Sequence, residues 1–151
     1  MKNNEELVSI CCKGVKGRVD PRTIKRRAIH ILKAAGHPSA ELSLLLCDDM
    51  FIQKLNLDYR GLDAPTDVLS FSMKDGPAKG NDSELLGDVV VSVETAAKQA
   101  TAAGKKLTDE ITSLVVHGIL HLLGYSHGNK KNEKAMFEEA MRIEKIVLLR
   151  T

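Results

Sequence analysis

The sequence predicts an α+β fold: a small mixed β-sheet covered by helices, in one domain spanning residues 1–151, with one helix buried in the middle. Three observations lead there. Helical and strand patterns follow one another in the order α, β, α, β, β, α, α, α. The 151 residues, 43% hydrophobic and 28% charged, are enough to bury one core and call for no second domain. One segment, residues 109 to 123, is apolar on almost every side, which assigns it to the interior.

The elements follow in order. Asp20 and Pro21 supply a cap and a first-turn proline ahead of Ile24, Ala28, Ile31, Leu32 and Ala35 at helical spacing, and Gly36 ends the run. Residues 40 to 47 alternate and then turn continuously apolar, which predicts a strand, and Asp48-Asp49 cap a second helix through about Leu57. Val68 to Met73 and Leu86 to Ser92 read as two strands that can pair directly, joined by a Gly- and Asp-rich loop over 74–84. Residues 93 to 103 form an alanine-rich helix ended by Gly104. Thr108 offers a capping hydroxyl, and Asp109-Glu110 first-turn acids, to the apolar helix 109–123. A last helix, about Asn132 to Leu149, spaces Met136, Phe137, Ala140, Met141, Ile143 and Val147 as core packing. No internal repeat, low-complexity segment or linker interrupts the series.

Composition excludes several classes. No apolar run reaches the roughly 18 residues of a membrane span, and the polar, acidic start Met1-Lys2-Asn3-Asn4-Glu5-Glu6 lacks a secretory apolar region. A cytoplasmic protein with no membrane partner is expected. Cys11, Cys12 and Cys47 are odd in number and two are adjacent, which fits reduced thiols better than a disulfide framework or a Cys-x-x-Cys zinc knuckle. The net charge of +2 is mild. Its distribution is not: Lys13, Lys16, Arg18, Arg22, Lys25, Arg26 and Arg27 stand against the single acid Asp20. That segment is either a concentrated positive face for nucleic acid or an ordinary solvated helix surface.

The chemistry concentrates in His117-Gly118-Ile119-Leu120-His121-Leu122-Leu123-Gly124-Tyr125-Ser126-His127, which gathers three of the five histidines. His117 and His121 are four apart, so a helix stacks them on one face. Gly124 ends the helix and turns the chain so that His127 swings back toward the same ion. Burial disfavours imidazolium and keeps the rings neutral, the state a ligand needs. Three imidazoles with no fourth protein ligand is the pattern of a catalytic zinc with an open position. The motif resembles the zinc-peptidase helix His-Glu-x-x-His, but Gly118 stands where the glutamate base would be, which disfavours a peptidase of that mechanism. Gly118 instead lets a strand or substrate approach the helix, at a cost of about 1 kcal/mol in helix propensity.

The histidine segment resembles the signature of the YbeY family of bacterial endoribonucleases, His-Gly-x-Leu-His-Leu-x-Gly-Tyr-Asp-His. Asn56 to Phe71, containing Tyr59-Arg60 and Thr66-Asp67-Val68-Leu69-Ser70-Phe71, is similar to that family's Asn-x-x-Tyr/Phe-Arg-x-x-Asp-x-x-Thr-Asp-Val-Leu-Ser-Phe block. Leu86-Gly87-Asp88-Val89-Val90-Val91-Ser92 matches its Gly-Asp-Ile-x-Ile-Ser strand. The resemblance spans about residues 40 to 145 and implies a single-strand-specific, metal-dependent endoribonuclease. It would act in ribosomal RNA maturation, at the 3′ end of the small-subunit rRNA, and in ribosome quality control. By the same resemblance one Zn2+ per chain is bound by His117, His121 and His127, Arg60 joins His117 and His121 as a catalytic residue, and the partners are single-stranded and ribosomal RNA, the small ribosomal subunit and assembly factors.

An arginine suits phosphodiester chemistry because its planar guanidinium makes bidentate charge-assisted bonds to phosphate oxygens. Arg60 also reads as a surface residue answering the dipole at the end of the second helix. Ser126 stands where the family carries aspartate; it can hydrogen-bond but cannot act as a base near neutral pH, so the proton acceptor stays unassigned. Asp67 and Asp88 are the remaining carboxylates of the matching segments, Asp67 reading as a capping or turn residue, and Thr66 and Ser70 share that ambiguity. The attacking group is either water or the RNA 2′-hydroxyl. Two further readings stand beside the nuclease: a ribosome-assembly adaptor with a mainly structural zinc, and a metal-dependent hydrolase of another substrate.

Overall fold

The alternation of buried and open positions along residues 40–47 separates two faces of one sheet, and everything else stacks on those faces. The computed structural model describes residues 3–15, 17–73 and 84–150. Among them are α1 (Asn4–Leu7), β1 (Val8–Lys13), α2 (Pro21–Ala34), β2 (Ala40–Cys47), α3 (Asp49–Arg60), β3 (Val68–Ser72), β4 (Glu84–Ser92), α4 (Val93–Ala103), α5 (Leu107–Leu122) and α6 (Lys130–Arg150). Lys16 and the loop expected over 74–84, apart from Glu84, lie outside the described residues.

The four strands run in the order β1-β2-β4-β3. β1, β2 and β4 are parallel, and β3 joins β4 antiparallel with Phe71 opposite Asp88 and Ser72 opposite Gly87. The α+β expectation and the direct pairing of the two central-segment strands are both met. α1 and β1 were not expected from the sequence. β1 is an edge strand whose side chains are mostly exposed after Val8, so it lacks the sustained apolar alternation that marks a half-buried strand.

One face of the sheet carries the larger core. Leu42, Leu44, Leu46, Val89 and Val91 meet Ile24, Ala28, Ile31 and Leu32 of α2, Ile111, Val115, Ile119 and Leu120 of α5, and Ile143 and Val147 of α6. Fully burying each of these Val, Leu and Ile side chains contributes roughly 1.5–3 kcal/mol. The opposite face holds a smaller cluster of Cys47, Ile52, Leu69 and Val90, with Phe51, Leu55 and Phe71 packed against it. α3 covers only this part of that face, so α3 and α5 lie on opposite sides of the sheet.

Capping explains most of the boundaries. Asp20, Asp48 and Ser92 each accept a first-turn backbone N–H, from Arg22, Phe51 and Thr95 respectively. α5 corrects an expectation: it starts at Leu107 with Lys106 at the cap and no side-chain cap bond. Thr108 therefore lies inside the helix, where its carbonyl accepts the Thr112 hydroxyl at 2.7 Å. The N-termini of α3 and α4 are tied together, because Asp49 accepts the hydroxyls of Ser92 at 2.5 Å and Thr95 at 2.6 Å while its own N–H donates to Glu94 at 2.7 Å. Cys47 is buried and its thiol is pushed up to about 12 by that burial, with Asp48 and Asp49 adding to the shift. Such a thiol is inert at neutral pH.

Candidate active site

α5 delivers the histidines. Its body is buried from Ile111 to Leu122 apart from half-buried His117 and exposed His121, where the helix emerges at its last turn. Gly124 then takes a left-handed φ of 104°. Its N–H reaches the His121 carbonyl at 3.1 Å and the Tyr125 N–H the Leu120 carbonyl at 3.0 Å, a glycine-dependent helix stop. The turn brings His127 back to the helix end, so that the rings of His121 and His127 meet edge to face with centroids 5.0 Å apart.

His121 is held below the usual histidine value of 6.5, first by burial, then by the charge of His127, with a smaller push from His117; a hydrogen bond to the Tyr125 backbone opposes the shift. The ring is thus neutral near pH 7, the form that offers a lone pair to a metal. His121 and His127 are brought together, while His117 stands one helical turn back. Among the described residues no three His, Cys, Asp or Glu side chains gather closely enough to hold an ion as placed. The donor chemistry nevertheless suits zinc, with imidazoles at a helix end and no cysteine beside them.

Gly118 sits where the sheet presses on α5. A Cβ there would lie 2.7 Å from Val89 Cγ1, closer than real Cβ contacts come, and 3.2 Å from Ser70 Oγ, tighter than most. The Ser70 hydroxyl donates to the Gly118 carbonyl at 3.1 Å. Ser70 is therefore a tie between the edge strand and the histidine helix, a part that its place in a strand of alternating apolar residues did not reveal.

Arg60 is the last residue of α3 and is exposed, with no ion pair among the described residues. Its neighbour Tyr59 packs edge to face on Phe71, ring centroids 5.1 Å apart. Phase along β3 places the two halves of the site: Phe71 faces α3, while Ser70 faces α5. The Leu122 side chain reaches the Gly87 backbone, opposite Ser72. Arg60 and the end of the histidine helix therefore come to the same end of β3, on its two sides. Asn56 braces this corner, since its buried side-chain amide donates through Nδ2 to the Ala64 carbonyl at 2.9 Å and its backbone carbonyl accepts the Leu62 N–H at 3.3 Å.

The carboxylates sort by face. Asp67 accepts its neighbour Val68 N–H at 2.7 Å and Gln99 Nε2 at 3.2 Å, as a turn residue does. Thr66 merely bonds Asp67 at 3.4 Å. Asp88 points away from α5, because Val89 takes the position against Gly118. Ser126 accepts from the Gly128 N–H and from Asn132 Nδ2, at 3.5 and 3.4 Å, and so shapes the turn into α6.

The basic face shrinks. Arg27 is buried, its Nη1 donating to Asp109 at 3.0 Å and to the Thr112 hydroxyl at 2.8 Å. Lys25 pairs with Glu5 at 3.4 Å and Arg22 with Asp20 at 3.2 Å. Of the described residues in that segment, Lys13, Arg18 and Arg26 remain exposed without an ion pair. No helix among the described residues is long and apolar enough to cross a membrane.

The family model for "Endoribonuclease YbeY" matches residues 10–147. The chain is 50% identical over 116 residues to an endoribonuclease YbeY of Pelotomaculum thermopropionicum, covering 75% of this chain and 76% of that one. It is 41% identical over 133 residues to an endoribonuclease YbeY of Syntrophotalea carbinolica, with 88% and 89% covered. A solution structure of a Thermotoga maritima protein superimposes with a TM-score of 0.63 at 31% identity, covering 91% of this chain and 88% of that one. The motif segments, the fold and the matched length agree, and the chain belongs to the YbeY family of endoribonucleases.

Proposed function

We propose that this chain, acting as one domain of 151 residues, is a zinc-dependent endoribonuclease that cuts single-stranded RNA during ribosomal RNA maturation. Its substrates are then the 3′ region of the small-subunit rRNA and RNA in defective ribosomes, its partners the small subunit and assembly factors, and its location the cytoplasm. The observation that carries the reading is the His121–His127 pair, 5.0 Å apart at the glycine-stopped end of a buried helix, with Arg60 at the same end of the edge strand.

His117, His121 and His127 would hold one Zn2+, which when bound polarises a phosphoryl oxygen or lowers the pKa of a water to about 7. Arg60 binds the scissile phosphate through its planar guanidinium and offsets charge that develops on it. Ser70 and Gly118 keep α5 seated so that the imidazoles stay at the helix end. Ser126 orders the turn that returns His127; it takes no proton, since a serine hydroxyl is not a base near neutral pH.

Arg60→Ala tests the reading. The variant keeps its fold and its metal content and loses cleavage of a structured ribosomal RNA by about 100-fold, the scale of a lost charge-stabilising donor. Normal cleavage by that variant would overturn the role of Arg60. If cleavage stayed normal while ribosome association failed, the chain would be an assembly adaptor.

A further inference from the structure

A groove of about 510 Å³ crosses the face of the sheet that α3 leaves open. Strand register builds its floor. Ser9 of β1 pairs with Ser43 of β2, Ser43 with Asp88 of β4, and Asp88 with Phe71 of β3, so these four form one row across all four strands. The row shares its face with Leu45, Val90 and Leu69, which are packed under or beside α3. Its polar members are open: Ser9 and Ser43 are exposed and Asp88 is half-buried. The two serine hydroxyls lie 3.2 Å apart.

The aromatic end of the row is Phe71, with Tyr59 edge to face upon it and 68% exposed. Lys13 stands at the other end of the groove with its ammonium 5.8 Å from the Phe51 ring. Exposed aromatic surface, a line of hydroxyls and a carboxylate, and a lysine at the far end match what a short single strand presents: an apolar ring face, a polar ring edge and a phosphate of a neighbouring nucleotide.

We propose that this groove binds an unpaired base of the RNA, stacked against the Tyr59–Phe71 pair, with Asp88 and Ser43 reading its edge and Lys13 taking a flanking phosphate. The proposal rests on the endoribonuclease reading and adds a recognition subsite to it, since Tyr59 is followed directly by Arg60. A carboxylate accepts and does not donate, so it takes the exocyclic amino group of cytosine, guanine or adenine. Uracil offers carbonyl oxygens on both sides of its single N–H and meets Asp88 with unpaired acceptors. The subsite therefore selects amino-bearing bases over uracil at one position beside the cut.

The test is titration of the full chain with the nucleoside 5′-monophosphates CMP, AMP, GMP and UMP, which have no internucleotide bond to cleave, followed by amide chemical shifts. Saturable shifts are expected at Ser43, Asp88 and Phe71, with UMP binding about tenfold more weakly than CMP. Asp88→Asn, which keeps size and fold but adds a donor, brings the two within about twofold, and Tyr59→Ala weakens all four. Equal binding of UMP and CMP by the unmodified chain, an unchanged ratio in Asp88→Asn, or shifts confined to the histidine segment would each overturn the proposal. Parallel cleavage of ribosomal RNA separates the two readings. Cleavage with no nucleotide in the groove removes the subsite alone, whereas base-selective binding with no cleavage by the unmodified chain leaves the subsite and removes the activity.

Discussion

The Ser70 hydroxyl and the Gly118 carbonyl meet at 3.1 Å, joining the edge strand to the histidine helix between His117 and His121. That contact exists because residue 118 has no side chain. Val89 Cγ1 and Ser70 Oγ occupy the space a Cβ would need.

Gly118→Ala gains helix propensity of up to about 1 kcal/mol but forces a methyl against stiff, fully buried Val89. Overpacking wins, and the variant is destabilised by about 1–3 kcal/mol in urea unfolding. Val89→Ala in the same chain relieves the clash, so the double variant loses less than the sum of the two single variants. Simple additivity would show that Val89 is not the obstacle.

Ser70→Ala removes one hydrogen bond whose acceptor keeps its helical partner. A loss of about 0.5–1.5 kcal/mol is expected, read as a shift of the urea midpoint at constant slope.

In the metal-free protein, His121 has a folded-state pKa below its ordinary value of 6.5, so below that pH the unfolded chain binds more protons than the folded one. Stability is therefore full above pH 6.5, declines as pH falls through 6.5, and levels off below the folded value. His121→Gln flattens this segment of the stability profile relative to the unmodified chain. Parallel profiles for the two would contradict the assigned shift.

Arg27 and Arg26 are neighbours with opposite fates. Arg27→Ala leaves Asp109 without its ion-pair partner, while the Thr112 hydroxyl keeps its bond to the Thr108 carbonyl, and costs about 2–3 kcal/mol, less than a fully buried pair because Asp109 is 32% exposed. Arg26→Ala leaves stability unchanged and lowers the salt dependence of RNA binding by about one phosphate contact. Thermal unfolding and binding at two salt concentrations check both.

These two arginines also mark the limit of what the sequence reveals. Local spacing found the helix that Asp20 caps, the glycine stop at residue 124 and the histidine pair on α5, because caps, turns and helical periodicity act within a few residues. It overstated the basic face, because the partners of Arg27 and Lys25 lie in distant segments. It missed β1, an exposed edge with little apolar patterning. The row from Ser9 to Phe71 was invisible for a related reason: strand register aligns those residues, and register is set by the whole sheet.

The most direct measurement is zinc content and ribosomal RNA cleavage on the same preparations of the unmodified chain and His121→Ala. The unmodified chain is expected to carry about one zinc and to cleave, as three imidazoles at an open site imply; folded His121→Ala is expected to lose both. A folded, metal-free unmodified chain that still cleaves, or a variant that keeps its zinc, would contradict the metal site at the end of α5.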